Sequence, residues 1–139
     1  MPTAIRAFFE FYRDAFNRLD GRAVTAHYAL PAMISNHHSE GLFVDMDALI
    51  HNNETLCRLY ADGGFKRADF CENVSLEQGG HFFMADLAWT IQFTDQPAQQ
   101  FNTTYQLAKR SDSGDGQTRW KIEHVTAYSE RQFWKENSK

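Results

Sequence analysis

The chain has 139 residues, an ordinary length for one domain with a core of its own. Apolar residues make up 42% of it and aromatic residues 14%, which excludes disorder and low complexity. With 14 Lys and Arg against 18 Asp and Glu, the net charge is −4, which excludes broad electrostatic binding to nucleic acid or to an anionic membrane surface.

Behind Thr3, a candidate N-cap, Ile5, Phe8, Phe9, Tyr12, Phe16 and Leu19 recur at spacings of three and four, the apolar stripe of an amphipathic helix. Asp20-Gly21 ends that helix, and a short second helix runs from Arg22 to about Tyr28, before Pro31. Ala32 to His38 reads as a strand, with Leu42-Phe43-Val44 returning beside it after the Glu40-Gly41 turn. Asp45 or Asp47 caps a third helix carrying Leu49, Leu56, Cys57 and Tyr60, and Gly63-Gly64 stops it. Four long strands follow. Phe65 to Glu77 is the first, with Phe70, Val74 and Leu76 setting its inward parity. After the Gly79-Gly80 turn, His81 to Thr94 alternates cleanly. Phe83, Ala85, Leu87, Trp89, Ile91 and Phe93 share one face, and Phe82, Met84, Asp86 and Ala88 the other. Phe101, Thr103, Tyr105 and Leu107 line the third strand. The Gly-rich segment from Ser111 to Gln117 reads as a hairpin tip. Trp120, Ile122, His124, Thr126 and Tyr128 line the fourth strand, and a polar tail from Ser129 to Lys139 carries Phe133 and Trp134. Helices grouped before a meander imply a single α+β domain over residues 1–139, a strongly curved, mostly antiparallel sheet wrapped around N-terminal helices to leave a conical space.

Cys57 and Cys71 lack CxxC spacing and are too few for a disulfide framework, so reduced thiols are expected. The first sixteen residues are charged at Arg6, Glu10, Arg13 and Asp14, unlike a secretion signal, and no run approaches the roughly 18 apolar residues of a membrane span. A cytoplasmic protein is expected. The adjacent His37 and His38 point apart on a strand, and HxH and HExxH are absent, so no metal is expected, nor any organic cofactor. Nucleophile-elbow, P-loop and dinucleotide motifs are also absent.

Two segments, FFEFYRDAFNRLDGRAVTAHYALPAMISNHH near the start and TTYQLAKR followed by TRWKIEHVTAYS near the end, resemble the nuclear transport factor 2-like superfamily. The likeness is to its SnoaL-like and ketosteroid isomerase-like branch. The resemblance implies a cone-shaped roll, and it implies roles for particular residues. Tyr12 matches the phenol that donates a hydrogen bond to a developing enolate in the isomerase pattern. Asn36 falls where that pattern has an aspartate base, and an amide is no base, so Asn36 is left to orient a ligand. Tyr105, or Thr103 two residues away, falls where a second donor acid stands. His124 follows a Trp-x-Ile-x run as in many SnoaL-like chains.

His38 shares the strand face of Asn36 and, with His124, is the candidate to move a proton. Phe8, Trp89, Phe93 and Phe101 are expected as aromatic walls suited to a small hydrophobic molecule. Each residue has a plain structural alternative: a core tyrosine, a strand-end asparagine, a histidine held by Thr126 or Tyr105, or a core packed with its own aromatics. The expected function is binding of a small hydrophobic carbonyl or hydroxyl compound, with cofactor-free isomerase, dehydratase or cyclase chemistry at Tyr12, His124 and His38. The alternative is a non-catalytic binding or dimerisation module. Phe82, Met84 and Ala88, with Val125 and Ala127, are expected on the outer sheet face, where a homodimer would cover them.

Overall fold

The computed structural model describes residues 1–111 and 116–132. The first helix, α1 (Thr3–Asn17), buries Ile5, Phe9, Tyr12 and Ala15, positions three or four apart that stack on one face. Thr3 is the first helical residue and makes no side-chain cap. Asp20 instead caps α2 (Gly21–Thr25), its carboxylate accepting from the Ala23 amide at 3.0 Å. This helix ends earlier than its sequence suggests, because Tyr28 is drawn into a strand opposite Ile122. Gly21 sits against α3 (Met46–Asp62): a Cβ there would lie 2.7 Å from the Glu54 backbone. Asp45 caps α3, and Gly63 closes it.

The strands are β1 (Tyr28–Ser35), β2 (Glu40–Phe43), β3 (Phe65–Gln78), β4 (Phe82–Phe93), β5 (Gln99–Arg110) and β6 (Arg119–Gln132). They form one sheet in the order β2-β1-β6-β5-β4-β3, antiparallel except where β1 runs parallel to β6. The architecture is α+β, as the order of elements implies. Part of the expected hairpin tip, residues 112–115, lies outside the described residues, as do Phe133 and Trp134 of the expected tail, which begins later because β6 continues to Gln132. The helices cover one face of the sheet. Phe9 and Tyr12 of α1 and Leu49 of α3 join Trp89, Tyr105, Leu107 and Ile122 in one core. Side chains buried as completely as Phe9 or Leu87 stabilise the fold by roughly 1.5–3 kcal/mol each. Among the described residues, no helix is long and apolar enough to cross a membrane.

Bulges on β6 and β3 change which side chains face inward. Leu107 pairs with Ile122 but Gln106 with His124, so Glu123 is an extra residue on β6. Ile122 is buried before the bulge and Val125 after it, leaving His124 exposed on the outer face. On β3, Glu72 pairs with Leu87 and Val74 with Asp86, so Asn73 is the extra residue. The inward parity set by Phe70 therefore reverses. Val74 and Leu76, expected inside, are 53% and 54% exposed. Val125 and Ala127, expected outside, face inward and drop out of any outer-face interface.

Candidate ligand cavity

Between α1, α3 and the concave face of the sheet lies a cavity of about 450 Å³. This is within the range of sites that enclose small molecules. Its walls are apolar and aromatic, among them Phe16, Ile34, Leu56, Ile91, Phe101 and Val125. Four polar-tipped aromatics lie deep in it: Tyr12, Tyr28, Trp89 and Tyr105, each no more than 5% exposed. The elements bring them together. Tyr12 follows Phe9 on the buried stripe of α1, Tyr28 opens β1, and Trp89 and Tyr105 sit on the inward parity of the neighbouring β4 and β5.

The Tyr12 and Tyr28 hydroxyls are 2.7 Å apart, and the Trp89 indole N–H donates to the Tyr105 hydroxyl oxygen at 3.0 Å. The Tyr12 and Tyr105 rings meet edge to face at 5.8 Å. Burial pushes the Tyr12 hydroxyl well above its ordinary pKa, and the adjacent Tyr28 and Tyr105 push the same way. Burial raises Tyr28 to about 12. Tyr105 is raised chiefly by burial and by Tyr28, against hydrogen bonds from Trp89, Thr103 and Tyr12. All three phenols are therefore neutral donors throughout the physiological range.

The mouth is formed by exposed residues that include Asn36, His38 and Ser39. Asn36 Oδ1 accepts from the amides of His38 at 2.8 Å and Ser39 at 3.0 Å, so its carbonyl holds the turn between β1 and β2, and only its NH₂ can meet a ligand. Inside, Asn53 donates to the Thr25 hydroxyl at 2.9 Å, and Thr25 donates to the Gly21 carbonyl at 2.7 Å. That amide is committed to holding α3 on α2. Among the described residues, no Asp, Glu, Lys or Arg lines the cavity. No group of three or more His, Cys, Asp or Glu among them could hold a metal ion.

The sequence matches no protein-family model and no curated protein. Solved structures do match. An NTF-2-like protein of unknown function from Shewanella oneidensis MR-1 aligns with a TM-score of 0.74 at 17% identity, covering 93% of this chain and 100% of that one. A domain of unknown function with a cystatin-like fold from Nostoc punctiforme aligns at 0.74 and 14% identity, over 98% and 81% of the two chains. The chain has the nuclear transport factor 2-like fold. A ketosteroid isomerase-like protein from Erwinia carotovora atroseptica shares this fold, with a TM-score of 0.66, 15% identity and coverage of 90% and 92%.

Within the nuclear transport factor 2-like roll, the residues singled out in the sequence separate into three groups. Tyr12, Tyr105, Trp89 and Phe101 line the cavity, and Asn36 and His38 stand at its mouth. Phe8 and Phe93 do not line it. Phe8 packs on Phe9 at 5.2 Å and on His27 at 5.1 Å, and Phe93 lies 6.3 Å from Tyr60 beside Phe65. His124, the expected proton carrier, is on the opposite side of the sheet because of the Glu123 bulge.

Two residues escaped the sequence reading. Tyr28 sits where a helix was expected to end, and its pairing with Tyr12 depends on β1 starting early. His27, beside it, packs its ring 5.4 Å from Tyr12. Burial lowers the His27 pKa, opposed by hydrogen bonds to the Ala23 and Val24 backbone and helped by Lys121. Asp86 is on the outer face as expected but is only 5% exposed. Asn73, Thr104 and Tyr128 donate to it at 2.8, 2.6 and 2.7 Å, and together they lower its pKa against the effect of burial.

Proposed function

We propose that the protein binds a small, uncharged, largely apolar molecule in this cavity, with an oxygen of the ligand against the phenol cluster. The supporting observation is the pairing of Tyr12 with Tyr28, beside Trp89 and Tyr105, at the deep end of an apolar space of about 450 Å³. A charged ligand would find no counter-ion among the lining residues and would lose its hydration. A ligand with one carbonyl or hydroxyl exchanges water for phenol donors and buries the rest of its surface.

The test is ligand-observed NMR with 1-tetralone, a bicyclic ketone. The wild-type chain is expected to give saturation transfer. Ala127→Phe, which fills the cavity, is expected to abolish it, and His124→Ala, on the other side of the sheet, to leave it unchanged. Equal signals from wild type and Ala127→Phe would overturn the reading.

A catalytic reading of the same site, as an isomerase, dehydratase or cyclase without cofactor, is favoured by one observation: an imidazole, His38, lines the same cavity as the hydroxyl donors. Phenol donors of this kind stabilise a developing enolate, and His38 would take the proton. Exchange of the α-hydrogens of 1-tetralone in deuterated water, faster with wild type than with His38→Gln, supports this reading. Equal rates refute it.

The outer face completes the proposal. Val74, Leu76 and Phe82 are exposed beside Met84 and Ala88 on β3 and β4, and a second copy of the chain related by a two-fold axis would cover them.

A further inference from the structure

Trp89 carries chemical information beyond its apolar area. An indole nitrogen only donates, whereas a phenol both donates and accepts. The bond from Trp89 to Tyr105 therefore fixes the Tyr105 oxygen as an acceptor and turns the Tyr105 O–H away from the indole. Tyr12 and Tyr28 share one bond, in which either can be the donor. Together the indole and three phenols bring four protons to three oxygens. The two bonds present use two of those protons, and even a chain linking all four groups would use three, so at least one O–H is left without an acceptor inside the cluster; Thr103, beside Tyr105, adds one proton and one oxygen and leaves that surplus unchanged. It falls on Tyr105, on its neighbour Thr103 or on the Tyr12–Tyr28 pair, and all four line the cavity.

We propose that Trp89 is a specificity-determining residue that polarises this cluster, so that the cavity selects ligands with a hydrogen-bond acceptor and no donor: ketones, lactones and esters rather than N–H compounds. The inference builds on the assignment of the cavity as a ligand site. An acceptor oxygen takes up the surplus O–H. A donor-only ligand has to approach phenol oxygens that already accept, and it leaves the surplus proton unpaired. Near-complete burial of all four groups heightens the difference, because an unmatched polar group has little water to fall back on. Without the indole, the Tyr105 oxygen is released: three phenols in a chain use two of their three protons and leave one O–H and one oxygen free, so either kind of ligand can be accommodated.

The experiment compares three bicyclic probes of similar size by calorimetry: 1-tetralone, which only accepts; indole, which only donates; and tetralin, which does neither. Wild type is expected to bind 1-tetralone about tenfold more tightly than tetralin, the effect of one buried hydrogen bond, and to show no such gain for indole. Trp89→Phe is expected to narrow the ratio between 1-tetralone and indole by several-fold. A purely structural loss would weaken all three probes together and leave the ratio where it was. The wild-type comparison stands alone if Trp89→Phe does not fold. Equal binding of 1-tetralone and tetralin, or preference for indole, overturns the role of Trp89 while leaving the cavity as a ligand site. Failure of all three probes overturns both.

Discussion

Tyr12 and Tyr28 are held 2.7 Å apart in a nearly dry setting, so neither can ionise without placing a charge in the core. Tyr28 has a folded pKa of about 12 against an ordinary value of 10. An acid whose pKa rises on folding stabilises the fold below its unfolded pKa. That stability is lost as pH climbs through about 10 towards about 12. Spectrophotometric titration of the native protein at 295 nm is expected to leave Tyr12, Tyr28 and Tyr105 un-ionised at about pH 11 and to release them together on unfolding. Smooth ionisation of all five tyrosines near pH 10 would show that these phenols are wet. His27 gives the opposite edge. Burial lowers its pKa below the ordinary 6.5, so the unfolded chain holds the extra proton and stability falls as pH drops through about 6.5. Denaturant midpoints at about pH 8 and pH 5 are expected to differ less in His27→Gln than in wild type. An unchanged difference would mean that His27 contributes nothing to the acid limb.

At the scale of elements, the sequence reading succeeds where periodicity is unbroken and fails where it is interrupted. On β4 the period of two runs from Phe83 to Ile91 without a break, and each of those inward positions is buried. On β6 and β3 a single inserted residue, Glu123 or Asn73, reverses the parity, and nothing about a glutamate or an asparagine in a strand announces a bulge. The alternation that points His124 into the cavity holds only up to Ile122. The Tyr12 position was legible from the helical stripe and from the family resemblance. Its pairing with Tyr28 was not, because the start of β1 is decided by pairing to β6, 94 residues along the chain (Tyr28 to Ile122). The α2–α3 contact provides an element-level test. Gly21 meets the Glu54 backbone where a Cβ would lie at 2.7 Å. Gly21→Ala is expected to cost roughly 1–3 kcal/mol in chemical denaturation through overpacking. A neutral or stabilising result would show that α2 and α3 separate easily.

At the scale of the whole molecule, the two faces of the sheet differ in character. The concave face encloses the cavity. The convex face exposes Val74, Leu76 and Phe82 around the Asp86 network. Light scattering coupled to size exclusion is expected to return twice the 16.1 kDa chain mass, falling to the monomer value in the double variant Leu76→Lys, Phe82→Lys. A monomeric wild type would refute the dimer and leave the cavity untouched. Ligand recognition in the proposed site rests on donation from the buried phenols to a ligand oxygen. Its most direct measurement is the carbon-13 shift of carbonyl-labelled 1-tetralone on binding. The account predicts a downfield carbonyl shift with wild type that diminishes in Tyr12→Phe and Tyr105→Phe, whereas bound ketone whose carbonyl resonance stays at its value in apolar solvent would contradict it.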